Sequence, residues 1–276
     1  CSSDLEKNEL PISILLLDNG WHINKGEDGK IVKTGYSFDR NKIPNPELLI
    51  GQLNSKNIHL GLQFNPIEGI RSSEEHYSEV ANTFGVTGDK TIAFDANNPL
   101  LLDKIYEYML KPLTDIGVDF FWNDADSSEL SEEDLFIVND SLYYNRHFNQ
   151  GKHNIILARN ALTASHRYPV TYTGKTLVGW ESLRKSVRIQ EMSSNIGLTW
   201  VSNDVNGNYG GIEEEELYVR AVEQATFGPI VRFHAPRGRY YRKEPWRWNA
   251  KTVEIVSRFL KLRHRLIPYL YTKAYD

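Results

Sequence analysis

Cysteine is almost absent from this 276-residue chain: Cys1 stands alone, so no internal disulfide forms and the redox compartment is not legible. No run of eighteen apolar residues occurs, which excludes a segment built like a membrane-spanning helix. Basic charge is also scarce. The 32 Lys and Arg residues are outnumbered by 36 Asp and Glu, for a net charge of −4, and this leaves no electrostatic footprint for nucleic acid. A Gly-rich phosphate turn is missing after the first apolar run, where Asp18-Asn19-Gly20-Trp21 stands instead, and its lack argues against nucleotide binding on an open doubly wound sheet. The eight histidines show no i, i+4 pairing and cysteine ligands are lacking, so no metal or other cofactor is expected. Neither an internal repeat nor a domain linker is visible. The chain opens Cys-Ser-Ser-Asp without a Met or a hydrophobic signal region. That start suits a piece cut from something longer better than a processed lipoprotein terminus.

What is present is a globular composition, 40% hydrophobic and 25% charged. Aromatics are plentiful, with six Trp, fifteen Tyr and eleven Phe. They suit a pocket for ring-faced ligands such as sugars, although large cores use them too. Short apolar runs, rich in β-branched and aromatic residues, read as buried strands at 12–17, 58–64, 118–122, 155–158, 198–201 and 230–233. Helical faces lie between and after them. Leu100, Ile105, Met109 and Leu113 make one. Leu217, Ala221, Val222 and Ala225 make another, behind the acidic start Glu213 to Glu216. A long stripe of Val253, Val256, Phe259, Leu260 and Leu266 makes the third, with Lys261, Arg263 and Arg265 on its expected solvated face.

Strand and helix in alternation predict parallel β/α architecture. The strands end in Asp18, Asn65, Asp124, Arg159, Asp204 and His234. In a closed barrel such ends gather at one mouth, where chemistry is carried. Six strands are fewer than the roughly eight a barrel needs. Either two are overlooked, or the first and last are missing. The expectation is a single catalytic-barrel domain over residues 1–276, an incomplete (β/α)8 TIM-type barrel from a larger multidomain protein. Val118 to Trp122 runs straight through Asn123 into Asp124. Desolvating a carboxylate costs several kcal/mol unless it is compensated, so an acid there marks either catalysis or a turn cap.

Ordered motifs along most of the chain resemble the catalytic barrel of glycoside hydrolase family 31, which includes α-glucosidases and α-xylosidases. Leu17-Asp18-Asn19-Gly20-Trp21-His22 is similar to the family's LDxDWH strand end. Thr34 to Asp39 resembles its WTGYTWD loop, and Asn65 to Ile70 its HPADGI turn. Trp122-Asn123-Asp124 falls on the catalytic WxD. Arg159-Asn160-Ala161-Leu162, followed by His166-Arg167-Tyr168-Pro169, resembles the family's Arg-Ser segment. Ser202 to Val205 lies on its GADVGG segment and Arg232-Phe233-His234 on its RxH. The resemblance implies retaining hydrolysis of an α-linked oligosaccharide or glycoside, with further barrel and β-domain segments in the parent protein; charge and hydropathy add the expectation of no nucleic-acid or membrane partner. It implies Asp124 as the nucleophile. It also implies Asp18, Arg159, Asp204 and His234 as sugar or carboxylate contacts, each weighed against a structural role. Trp21, Trp122, Tyr172 and Trp200 are candidates for stacking on sugar rings or for core packing.

The pattern breaks at the acid/base. Where relatives read HWxGD or YSGDT, this chain has Tyr172-Thr173-Gly174-Lys175-Thr176, so Lys175 takes the place of the acid at the separation from Arg159 that the family requires. A lysine ammonium, with a reference pKa of about 10.4, holds its proton too tightly for leaving-group protonation at neutral pH. Placed near Asp124 it would form an ion pair. The flank Ala125-Asp126-Ser127-Ser128 departs from the family's MNE or WQQG, and Asp126 is a substitute carboxyl without precedent. A weakened enzyme and a silent carbohydrate-binding protein both follow as expectations.

Overall fold

The computed structural model describes residues 4, 7–23, 32, 35–125, 130–148, 155–159, 165–167, 170–236 and 243–275. The chain divides into two compact units, Ser13–Pro169 and Cys1–Ile12 with Val170–Asp276. In Ser13–Pro169, β1 (Ile14–Leu17), β2 (His59–Phe64), β3 (Phe120–Asn123) and β4 (Ile156–Ala158) pair in parallel in chain order. Leu60, Leu62, Phe64 and Phe121 are all buried. Unbroken apolar runs of this kind belong to strands covered on both faces, as parallel crossovers require. Phe64 meets Phe121 edge to face at 5.8 Å, and Phe121 meets Tyr143 at 5.2 Å.

The crossovers are α1 (Pro46–Asn54), α2 (Tyr77–Phe84), α3 (Pro99–Ile105) and α4 (Lys111–Asp115), the last two joined through a π-helical turn, followed by α5 (Glu132–Ile137) and α6 (Asn145–Phe148). Local chemistry sets the helix starts. Asn45 accepts from the N–H of Leu48, Asn98 from that of Leu101 and Ser131 from that of Asp134. Pro46 and Pro99 occupy first-turn positions, where a missing N–H costs nothing. Ile105, Met109 and Leu113 are buried as their spacing predicts. Leu100 is exposed, because Leu101 and Leu102 take the inward positions instead.

The other unit carries β5 (Val170–Tyr172), β6 (Val201–Asp204) and β7 (Ile230–Arg232), again parallel and in chain order. Its helices are α7 (Trp180–Asn195), α8 (Glu215–Thr226) and α9 (Ala250–Tyr275). Tyr218, Ala221, Val222 and Ala225 of α8 pack with Val256 and Leu260 of α9 and with Val205 and Leu10 in one core. Arg263 departs from the expected solvated face: it is partly buried and donates to the carbonyl of Pro229, and burial lowers its pKa.

Among the described residues there are seven strands, all parallel, one fewer than a closed barrel uses. The architecture is that of an incomplete TIM-type β/α barrel. β5 is the strand the sequence reading lacks; Val170-Thr171-Tyr172 has a polar centre and no apolar run around it. β6 lies three residues later than the apolar run 198–201, because Ser202, Asn203 and Asp204 are buried strand residues.

Candidate active site

In Ser13–Pro169 the parallel strands bring Asp18, Asn65, Asp124 and Arg159 to the same end of their sheet, each following the last residue of β1, β2, β3 or β4. Asp18 is exposed, and its Oδ1 accepts from the N–H of Asn19 at 2.7 Å. Asn65 is buried, and its Oδ1 caps the next turn through the N–H of Ile67.

Asp124 continues the ladder, donating its N–H to Phe64 O at 2.9 Å, so its backbone is as fixed as a strand residue. Its carboxylate lies 3.7 Å from Arg159 Nη1, which also donates to the Asp124 carbonyl at 3.4 Å. Both side chains are partly buried. A carboxylate and a permanently charged guanidinium at this separation attract each other. Asn123, wholly buried, braces the strand end by donating to Asn139 Oδ1 at 2.8 Å and accepting from the N–H of Ala125. Trp21 and Trp122 are both buried, and Trp21 donates its ring N–H to Gln63 O at 2.8 Å.

A contact that sequence reading missed holds the segment resembling the family's loop. Buried Glu74 accepts from the N–H of Tyr36 at 3.0 Å and from the Ser37 hydroxyl at 2.7 Å. Burial raises the pKa of Glu74, against these hydrogen bonds and Arg71. Asp126, Ser127, Ser128, Thr34, Asn160 to Leu162, Tyr168 and Pro169 lie outside the described residues.

In the unit of β5 to β7, Asp204 is the centre of a polar cluster. Its Oδ2 accepts from the Tyr172 hydroxyl at 2.7 Å and from Asn208 Nδ2 at 2.9 Å, and lies 3.3 Å from His234 Nδ1. Arg232 Nε is 3.6 Å from Oδ1, and its guanidinium lies over the Tyr172 ring at 4.4 Å. Asn208 Nδ2 is also 3.0 Å from His234 Nδ1. The imidazole tautomer decides which contact Nδ1 makes: protonated it donates to Asp204 Oδ2, unprotonated it accepts from Asn208 Nδ2. Tyr172, only 1% exposed, therefore has a polar role toward Asp204. Trp200 is half-buried, and Lys175 is exposed. Among the described residues, no side chain of its own unit pairs with the Lys175 ammonium.

Lys243 joins the cluster without a sequence signal, since Arg242-Lys243-Glu244 looks like any solvated charged run. It is 9% exposed and donates to Asn206 O and Gly207 O, both at 2.8 Å. Burial pulls its pKa down to about 8, while Asp204 pushes it up. Among the described residues no group of three or more His, Cys, Asp or Glu side chains is placed to hold a metal ion, and no helix is long and apolar enough to cross a membrane.

Residues 2–273 match the family model described as "Glycosyl hydrolases family 31 TIM-barrel domain". An alpha-xylosidase of Saccharolobus solfataricus is 24% identical over 300 residues, covering 99% of this chain and 39% of its own. Alpha-glucosidase 2 of Bacillus thermoamyloliquefaciens is 25% identical over 311 residues, covering 96% of this chain and 37% of its own. Among solved structures, a family 31 alpha-xylosidase from a soil metagenome complexed with xylose matches with a TM-score of 0.79 at 21% identity, covering 99% of this chain and 47% of that one. The cycloalternan-degrading enzyme from Trueperella pyogenes, in complex with a covalent intermediate, gives a TM-score of 0.75 at 17% identity over 99% of this chain and 45% of that one. At such identities the structural likeness speaks for the fold alone. The chain spans about two-fifths of the length of the curated relatives it matches.

Proposed function

We propose, since this chain belongs to glycoside hydrolase family 31, that it is the barrel of a retaining α-glycosidase acting on α-glucosides or α-xylosides, with Asp124 as nucleophile. The observation that supports this most is the strand-end carboxylate of Asp124, whose backbone is held by the ladder and whose Oδ1 lies 3.7 Å from Arg159. An ionised carboxylate on a rigid element is what attack on an anomeric carbon needs. In that step the bond from Asp124 Oδ to the anomeric carbon forms as the bond to the leaving oxygen breaks. Water then attacks the same carbon, and the carboxylate leaves. Asp18 and His234 act as sugar-hydroxyl contacts, and Asp204, itself buried, orients His234. Tyr172 holds Asp204 in place, and Trp122 walls the nucleophile's strand.

With Lys175 at the acid/base position, the leaving oxygen takes its proton from water. Loss of a general acid costs roughly 10²–10⁴ in rate. Activated aryl glycosides need little protonation and are therefore the substrates of choice. Hydrolysis of an aryl α-glucoside or α-xyloside that is abolished by Asp124→Asn supports the reading. An absence of turnover on every α-glycoside tried overturns it.

Lys175 also favours a second reading, a carbohydrate-binding protein without turnover. Calorimetric binding of an α-linked disaccharide with no hydrolysis of aryl glycosides selects that reading. Failure to bind any sugar removes it.

A further inference from the structure

Asn206 and Gly207 follow β6 with φ of 60° and 67°, two consecutive left-handed residues. An Asn-Gly pair tolerates this conformation, though Asn does so at some cost. The turn supports two things. Its next residue, Asn208, donates to Asp204 and reaches His234. Its outer face receives the segment that carries Lys175: Asn208 and Tyr209 both donate their N–H groups to Thr176 O, and Val178 donates to Tyr209 O. The approach is close. A Cβ on Gly207 would come 2.7 Å from Leu177 O, and one on Gly211 1.8 Å from Val178 O. One small backbone platform thus sets the direction of Asp204, His234 and the Lys175 segment together.

Both carbonyls of the platform's left-handed pair point at one atom, Lys243 Nζ, which arrives from a stretch 36 residues farther along. Lys243 is anchored in turn by the Tyr218 hydroxyl, which donates to its carbonyl at 2.7 Å. We propose that Lys243 is a positioning residue: its ammonium pins the Asn206–Gly207 turn and thereby sets Asn208, the Asp204–His234 contact and the segment bearing Lys175. A buried ammonium costs free energy to desolvate, and here that cost is set against two charge-assisted hydrogen bonds that no water could supply as rigidly. The inference deepens the proposed function and rests on it for the meaning of the site, while the geometry of the platform stands independently.

The test uses the full chain with Lys243→Met, which keeps the stem and removes the ammonium. The imidazole nitrogen resonances of His234 are followed by NMR alongside calorimetric affinity for an α-linked disaccharide. Displaced His234 resonances and an affinity roughly tenfold weaker are expected, since a hydrogen bond to a charged group is worth about that much. Val256→Ala, a cavity in the same core, serves as a control that lowers stability and leaves the resonances in place. Unmoved His234 resonances in folded Lys243→Met protein overturn the proposal. Should that variant not fold, Lys243→Leu, which likewise carries no donor, replaces it under the same criterion. If the parent chain binds no sugar, the proposed function fails, and the His234 resonances still decide the role of Lys243.

Discussion

Asp204→Asn is the sharpest perturbation of the second polar cluster. Two donors, the Tyr172 hydroxyl and Asn208 Nδ2, converge on Oδ2 at 2.7 and 2.9 Å, while Arg232 faces Oδ1 from 3.6 Å. An amide has one oxygen. Placed toward Tyr172 and Asn208, it turns its NH2 group at the Arg232 guanidinium, donor against cation. Flipped, it presents that NH2 group to two donors. Neither orientation satisfies the cluster, and the charge balancing Arg232 is gone in both. Removing one member of a buried ion pair costs about 3–5 kcal/mol. The Arg232 contact lies beyond hydrogen-bond distance, so the lower end, about 3 kcal/mol, is the expected loss. At an m-value of about 3 kcal/mol per molar urea, the unfolding midpoint falls by roughly 1 M. Adding Arg232→Met to Asp204→Asn should return part of that loss, a coupling of about 1 kcal/mol or more between contacting residues. A midpoint shift below about 0.3 M, or strictly additive single changes, refutes the view that Asp204 organises the cluster.

Other outcomes follow from the same geometry. Asp124→Asn is expected to lower kcat on aryl α-glycosides by roughly 10⁴–10⁶, the range for losing a nucleophile, as read by initial rates. Lys175→Asp should raise turnover of unactivated α-disaccharides by about 10²–10⁴ while changing aryl-glycoside rates little, a split that a purely structural Lys175 would not produce. Lys243 ties stability to pH. Between about 8 and its usual 10.5, the unfolded chain binds the proton that the folded one has lost, so stability rises with pH across that window by about 3 kcal/mol. Urea midpoints measured at several pH values should show this rise in the parent and not in Lys243→Met. Above about pH 10 the sign reverses. Burial raises the pKa values of Tyr36, Tyr143 and Tyr218, so these phenols keep their protons when folded and lose them when unfolded, and the midpoint should fall.

The strands that sequence alone revealed, β1 to β4 and β7, are those that carry large apolar residues at most or alternate positions. In β2, β3 and β4 burial on both faces leaves no alternation to decipher, only a run with turn residues after it. β6 defeated that rule because half of it is Asn203 and Asp204. Asn203 stays buried by accepting from Gln190 at 3.0 Å on α7, and Asp204 by its cluster. Polar residues inside a strand are tolerated where tertiary partners satisfy them, and those partners are invisible in a local window. β5 failed for the opposite reason. Val170-Thr171-Tyr172 is an ordinary triplet whose identity as a strand comes from its ladder to Val201 and Ser202.

The same distinction separates the candidate residues of the two units. Asp18, Asp124 and Arg159 were legible because each ends an apolar run, a local signal that translates directly into a place at the end of a parallel sheet. Asn208 and Lys243 carry no such signal. Asn208 reads as turn chemistry, and its second function, reaching Asp204 and His234 with one amide, exists only once β7 lies beside β6. Lys243 reads as surface charge, and becomes a buried clamp only because two carbonyls of a left-handed turn lie in its path. The departure of Lys175 from the family's motif is therefore read from sequence at once, whereas the residues proposed to set the direction of its segment are not. Lys243 and the Asn206–Gly207 turn are those residues. Their geometry sets the direction of the segment on which any restored carboxyl must act.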